Sequence, residues 1–277
     1  MSETVYLNGE FLPKEKASIS PDDRGFIFAD GVYEVVKYYK GKPFRFDDHI
    51  MRLKNSLSAL ELTFEVNGLD DVFDILLEKN GLKNKEAAVY WQITRGVNKR
   101  MHNFPKNIKP TIYAFVFELP SFTDKLKNGI KVITHDDIRW LRCDIKSISL
   151  LPNTMLYNKA IENGAEECIL IRNGIVTEAT HSSILGVKNG KVITHPLTNL
   201  VLPGISRKVI HEICVKNKIE FIEKPFTEEE LYEMDELIIA GTGTEVMPII
   251  QVDKKLIGDG KPGNLTRFLQ DKFFELV

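Results

Sequence analysis

The sequence has very little cysteine: Cys143, Cys168 and Cys214 are odd in number and far apart. That argues against a disulfide framework and against the paired spacing of a structural zinc site, so no metal is expected. Long apolar runs are also missing; none approaches the roughly 20 residues that a membrane-spanning helix needs. Charge of either sign is nearly cancelled, with 37 Lys and Arg against 39 Asp and Glu. A balance of that kind leaves no electrostatic footprint for nucleic acid or an anionic membrane. Any anion bound here must be held by a few placed cations and backbone donors. The first residues, Met1-Ser2-Glu3-Thr4-Val5, carry neither the basic nor the apolar region of a signal peptide. A cytoplasmic chain is the expectation.

What is present suits a globular protein. An apolar content of 43% over 277 residues is enough for one large domain or two ordinary ones. Asn8-Gly9 sits between two short apolar segments and predicts a hairpin. Gly31 to Tyr39 is rich in β-branched and aromatic residues and predicts a strand. Ile50, Leu53, Leu57 and Leu60 recur at helical spacing, with Asp47 or Asp48 available as a cap. A second helix, capped around Asp70-Asp71, is predicted over 69–80, and strands over 87–94 and 111–118. Pro120-Ser121-Phe122-Thr123-Asp124 breaks two structured stretches and is the candidate linker. Beyond it, strands are predicted at 129–134, 167–172, 183–187 and 191–194. Helices are predicted at 153–163, 206–217, 227–233 and 263–276. This pattern predicts an α/β (α+β) enzyme with a domain over 1–119, a linker over 120–124, a second domain over 125–277, and a cleft between the two domains.

The chemistry concentrates around Lys146, in Arg139-Trp140-Leu141-Arg142-Cys143-Asp144-Ile145-Lys146-Ser147. A lysine between Ile145 and a run ending in two leucines is unusually placed for a solvated side chain, and a neutral amine can attack an aldehyde. Alone, it reads more readily as a strand-end lysine whose ammonium reaches water. Gly204-Ile205-Ser206 precede an apolar-periodic helix, so free N–H groups there can face an anion, with Ser206 as a capping residue. Gly241-Thr242-Gly243-Thr244 offers a second cluster of backbone donors and hydroxyls. No third glycine follows at the spacing a dinucleotide loop requires. Each of these also has a bland reading, as a cap or a glycine turn.

Taken together and in order, the segments resemble the class IV aminotransferases, the fold-type-IV pyridoxal-phosphate enzymes, and most closely their bacterial D-amino acid branch. The resemblance rests on Asp23-Arg24-Gly25-Phe26, Asp30-Gly31-Val32-Tyr33-Glu34-Val35, His49-Ile50-Met51-Arg52-Leu53, the Lys146 segment, Val176-Thr177-Glu178 and Leu202-Pro203-Gly204-Ile205-Ser206. It implies a two-domain enzyme with its active site in the interdomain cleft and pyridoxal 5'-phosphate bound as a Schiff base on Lys146. Glu178 then faces the pyridine nitrogen. Arg52, Gly204, Ile205, Ser206, Thr242 and Gly243 hold the phosphate. Tyr33 with Arg100 and His102, the latter two reaching in from the other subunit of a homodimer, trap the substrate carboxylate. The implied reaction moves the amino group of a D-amino acid such as D-alanine to a 2-oxo acid such as 2-oxoglutarate. Aminodeoxychorismate lyases and branched-chain L-amino acid aminotransferases share the scaffold and remain alternatives. The residue between Arg100 and His102 is Met101, where this branch often has Asn. His181 departs from a serine-rich stretch, and no role is assigned to it.

Overall fold

The computed structural model describes residues 3–277. The chain forms two compact units, one made of the described residues up to Pro120 together with Ile145–Ser149, the other of Ser121–Asp144 and Leu150–Val277.

The first unit is built on β1 (Thr4–Leu7), β2 (Glu10–Pro13), β3 (Gly31–Tyr39), β4 (Lys42–Pro43), β5 (Ala87–Thr94) and β6 (Thr111–Glu118), with helices α1 (Arg24–Phe28), α2 (Phe46–Ala59) and α3 (Leu69–Lys79). The strands form one antiparallel sheet in the order β2-β1-β6-β5-β3-β4. Alternation along β3 sends Val32, Glu34 and Val36 to one face, where the two valines join Trp91, Ile93, Leu53, Leu57 and Phe73 in a single core. Tyr33 therefore points to the opposite face. The predicted caps of the two helices are corrected. Residues Arg45 and Gly68, both in left-handed conformation, precede α2 and α3, and neither helix has a side-chain cap. Asp47, Asp48, Asp70 and Asp71 sit inside the first turns, where a carboxylate favours the positive end of the helix dipole.

The second unit contains α4 (Thr123–Asn128), β7 (Ile130–Asp136), α5 (Leu151–Glu162), β8 (Glu167–Arg172), β9 (Ile175–Ala179), β10 (Ser183–Lys188), β11 (Lys191–Thr194), α6 (Ile205–Lys216), β12 (Phe221–Glu223), α7 (Glu228–Tyr232), β13 (Glu236–Gly241), β14 (Glu245–Val252), β15 (Lys255–Leu256) and α8 (Asn264–Phe274). Eight strands run in the order β12-β11-β10-β13-β14-β7-β8-β9, and β15 extends β14. Strands β13 and β14 escape the sequence reading. They are continuous apolar runs buried on both faces, and such runs carry no period that separates strand from helix. The expected cap at Ser206 is also corrected: Gly204 occupies that position, and Ser206 lies buried within α6.

Candidate functional site

Lys146 sits on a short segment stitched to the start of β3. The Tyr33 N–H donates to the Lys146 carbonyl at 3.0 Å, and Ile148 N–H donates to the Gly31 carbonyl at 3.1 Å. Ser147 bridges Val32, and the Lys146 N–H donates to Ser56 Oγ at 3.1 Å. With its backbone fixed, the half-buried side chain places Nζ 4.2 Å from the centroid of the Tyr33 ring. Among the described residues the amine has no hydrogen bond and no carboxylate partner. Tyr33 itself stacks on Tyr90 at 5.6 Å.

Arg52 lies on the buried side of α2. It donates to the fully buried Glu34 through Nε at 2.7 Å and Nη2 at 2.8 Å, and His49 Nδ1 lies 2.8 Å from the same carboxylate. Burial pushes the Glu34 carboxyl upward, but Arg52 and His49 outweigh it and hold the group well below the usual carboxylate range. Burial likewise pulls His49 below its ordinary value, against the opposing effect of Glu34. Both Glu34 and His49 lie in segments singled out in the sequence, but neither was given a role. The signal was there for Glu34, a carboxylate at an inward position between Val32 and Val36.

In the second unit Glu178 projects from β9 into a buried position. Arg139 Nη1 donates to one of its oxygens and the Leu202 N–H to the other at 3.0 Å. Burial pushes its carboxyl above the ordinary value despite the pull of Arg139. Arg139 is held in turn by Asp137, with Nε and Nη2 contacts of 2.9 Å each, and by the Leu200 carbonyl at 3.2 Å. Burial raises Asp137 as well, but Arg139 and Arg172 bring it below its usual range. A carboxylate has about four lone-pair positions, so Glu178 keeps acceptor capacity beyond these two bonds.

The start of α6 and the β13–β14 turn meet around Ser182 and Ser183. A Cβ on Gly204 would lie 2.7 Å from Ser183 Oγ, and one on Gly241 would lie 2.8 Å from Thr244 Oγ1 and 3.0 Å from Ser182 Oγ. Ser182 Oγ and Thr244 Oγ1 are 3.2 Å apart. Adjacent Ser182 and Ser183 thus link the β13–β14 turn to Gly204 at the start of α6, and a Cβ on Gly243 would meet nothing within 4 Å. The hydroxyls of Ser182, Ser183 and Thr244 complete a cradle of donors. Next to it, His181 Nδ1 lies 2.8 Å from Glu167 Oε2, and its ring meets Tyr157 edge-on.

Arg100 and His102 lie together on the loop between β5 and β6. Both approach the Phe28 ring, at 5.3 Å for the Arg100 guanidinium and 5.5 Å for the His102 ring. Among the described residues, no hydrogen bond or ring contact joins either of them to Tyr33.

Comparison with known proteins points one way. The family model described as amino-transferase class IV matches residues 31–252. A D-alanine aminotransferase of Staphylococcus haemolyticus is 43% identical over 276 residues, covering 99% of this chain and 97% of that protein. A Bacillus licheniformis D-alanine aminotransferase is 39% identical over 268 residues, covering 96% and 94%. Among solved structures, the Escherichia coli branched-chain amino acid aminotransferase superposes with a TM-score of 0.89 at 25% identity, covering 100% of this chain and 95% of that one. A T.th. branched-chain amino acid aminotransferase solved with pyridoxamine 5'-phosphate has the same fold, with a TM-score of 0.89 at 22% identity, covering 99% and 94%.

Proposed function

The chain belongs to the class IV aminotransferases, which use pyridoxal 5'-phosphate, and from that premise we propose that it transfers the amino group of a D-amino acid, such as D-alanine, to a 2-oxo acid. The observation that carries the chemistry is the Lys146 amine, aligned over the Tyr33 ring with no acidic partner. The hand of the substrate follows the D-alanine aminotransferases that match nearly end to end.

The chain's own residues fit the cofactor. Gly204 and Gly241 leave space that a Cβ would fill, among hydroxyls and backbone donors suited to a phosphate. When bound, the cofactor supplies an aldehyde for the amine and a ring that accepts electrons from the substrate Cα. Lys146 would hold that aldehyde, and its Nζ, once the substrate amine has taken its place, would move the proton from the substrate Cα to the carbon that was the aldehyde. Glu178 favours the protonated form of the ring nitrogen, as a carboxylate beside a cation does. Its own tendency toward protonation, imposed by burial, is opposed by Arg139 and the Leu202 N–H. Arg52 adds a cation for the phosphate, supported by Glu34.

Arg100 and His102 bind the substrate carboxylate in this reading, with Tyr33 completing the trap. Their lack of contact with Tyr33 within one chain supports a homodimer in which the partner's loop reaches the site. Phe26, Met101 and Phe104, on or beside that loop, are exposed large apolar side chains of the kind an interface covers. No helix among the described residues is long and apolar enough to cross a membrane, and a cytoplasmic location follows the same reading.

The test uses purified protein with D-alanine and 2-oxoglutarate. Pyruvate and D-glutamate should form, borohydride should fix the pyridoxyl group on Lys146, and light scattering should give a dimer. Turnover of branched-chain L-amino acids alone, or pyruvate released from aminodeoxychorismate, would replace this reading with one of its scaffold alternatives.

A further inference from the structure

The Asp23-Arg24-Gly25 segment takes no part in the chemistry above, yet it holds one of the most buried arginines in the chain. Arg24 is 3% exposed. Its Nε donates to Asp30 Oδ2 at 2.7 Å, and its Nη1 donates to the Met101 carbonyl at 2.6 Å and to the Asn103 carbonyl at 3.5 Å. Its guanidinium also lies 4.8 Å from the centroid of Phe28, the ring that Arg100 and His102 approach. A second buried arginine works alongside it. Arg95 binds both Asp30 oxygens, at 2.8 and 3.0 Å, and lies 3.6 Å from the centroid of Phe104. The backbone joins in, with Arg24 N–H donating to the Gly96 carbonyl at 2.9 Å and Asn98 N–H to the Asp22 carbonyl at 3.1 Å.

Met101 is the residue between Arg100 and His102, and its carbonyl belongs to the peptide that joins Met101 to His102, one residue on from Arg100. A charged donor on that oxygen fixes this peptide plane, and with it the start of His102 and the backbone path that separates His102 from Arg100. Charge-assisted bonds are about twice as strong as neutral ones, and the planar fork of arginine holds an orientation that the single ammonium of lysine does not. The contact is to the Met101 backbone, and the Met101 side chain is exposed. We propose that Arg24, braced by Asp30, Arg95 and Phe104, is a positioning residue that clamps the Met101 carbonyl and sets the spacing of the Arg100/His102 carboxylate trap. The proposal rests on the reading of Arg100 and His102 given above.

The experiment compares Arg24→Lys, Phe104→Leu and Arg100→Ala holoenzymes in steady-state kinetics with D-alanine and 2-oxoglutarate. Cofactor absorbance and melting temperature are recorded for each. Arg24→Lys keeps the charge and loses the fork. It should raise KM for both substrates at least tenfold while kcat changes less than about threefold and cofactor content stays constant. Phe104→Leu, at a partly exposed ring, should shift KM the same way by a smaller factor and carries the test if Arg24→Lys does not fold. A raised KM in Arg100→Ala with wild-type constants in Arg24→Lys and Phe104→Leu would overturn the clamp. So would parallel losses of kcat, cofactor and melting temperature, which mark a merely structural arginine. An unchanged KM in Arg100→Ala would instead remove the trap reading itself, and the clamp's role with it.

Discussion

Replacing Glu34 with glutamine should destabilise the first unit far more than its near-identical shape suggests. The carboxylate is fully buried and takes three short contacts, from Arg52 Nε at 2.7 Å, Arg52 Nη2 at 2.8 Å and His49 Nδ1 at 2.8 Å. A glutamine offers one acceptor oxygen and turns an NH₂ toward a guanidinium, leaving Arg52 buried without its counter-charge. Stranding one member of a buried ion pair costs about 3–5 kcal/mol. For a unit of this size that is a fall in melting temperature on the order of 10–20 °C. The assay is tryptophan fluorescence in a Trp140→Phe background, where Trp91 is the sole reporter. Trp91 is fully buried in the first sheet, with its ring 4.6 Å from Phe73. Adding Arg52→Gln should recover part of the loss, because the uncompensated cation is then gone. The sign with pH is also fixed. Burial pushes the Glu34 carboxyl up, but Arg52 and His49 hold its folded value well below the ordinary one. Its contribution is therefore complete above the unfolded carboxyl value of about 4.3 and is lost as pH falls toward the depressed folded value. The wild-type chain should lose stability over that acid range, and Glu34→Gln should lack this component. A single variant within about 1 kcal/mol of wild type, or a double variant equal to the sum of the singles, would refute the reasoning.

Two further changes probe other levels of the structure. Thr227 and Glu230 form a reciprocal capping box at the start of α7, with bonds of 3.2 and 2.8 Å; Thr227→Ala should cost about 1 kcal/mol in urea unfolding, and Thr227→Ser should restore most of it. Gly204→Ala would press a methyl to within 2.7 Å of Ser183 Oγ, so titration of the apoprotein with pyridoxal 5'-phosphate should show at least tenfold weaker binding with circular dichroism unchanged.

Much of the first unit was legible in the sequence because its signals are local. The alternation of Gly31–Tyr39 and the Asn8-Gly9 turn determine strand and hairpin at short range, and the observed bounds agree. The caps of α2 and α3 were misplaced because a left-handed residue before a helix leaves no side-chain signature beyond glycine itself. Strands β13 and β14 were silent because burial on both faces erases the alternation that marks a strand. The candidate site divides along the same line. A Schiff-base lysine or a carboxylate trap demands particular side chains in a particular order, so the family resemblance proposes Lys146, Glu178, Arg100 and His102 by position. Their supporting partners obey no such restriction. Arg139 reaches Glu178 across 39 positions, Ser182 meets Thr244 across 62, and Arg24 meets Met101 across 77. Any arginine or hydroxyl at any separation could have served, so only the folded chain distinguishes these from the many that do not. The groups that hold a reactive side chain in place are thus less visible in sequence than the group itself, although its geometry depends on them. Arg24 illustrates the consequence: the motif was conspicuous, and its purpose became readable only when Met101 was found at the far end of its guanidinium.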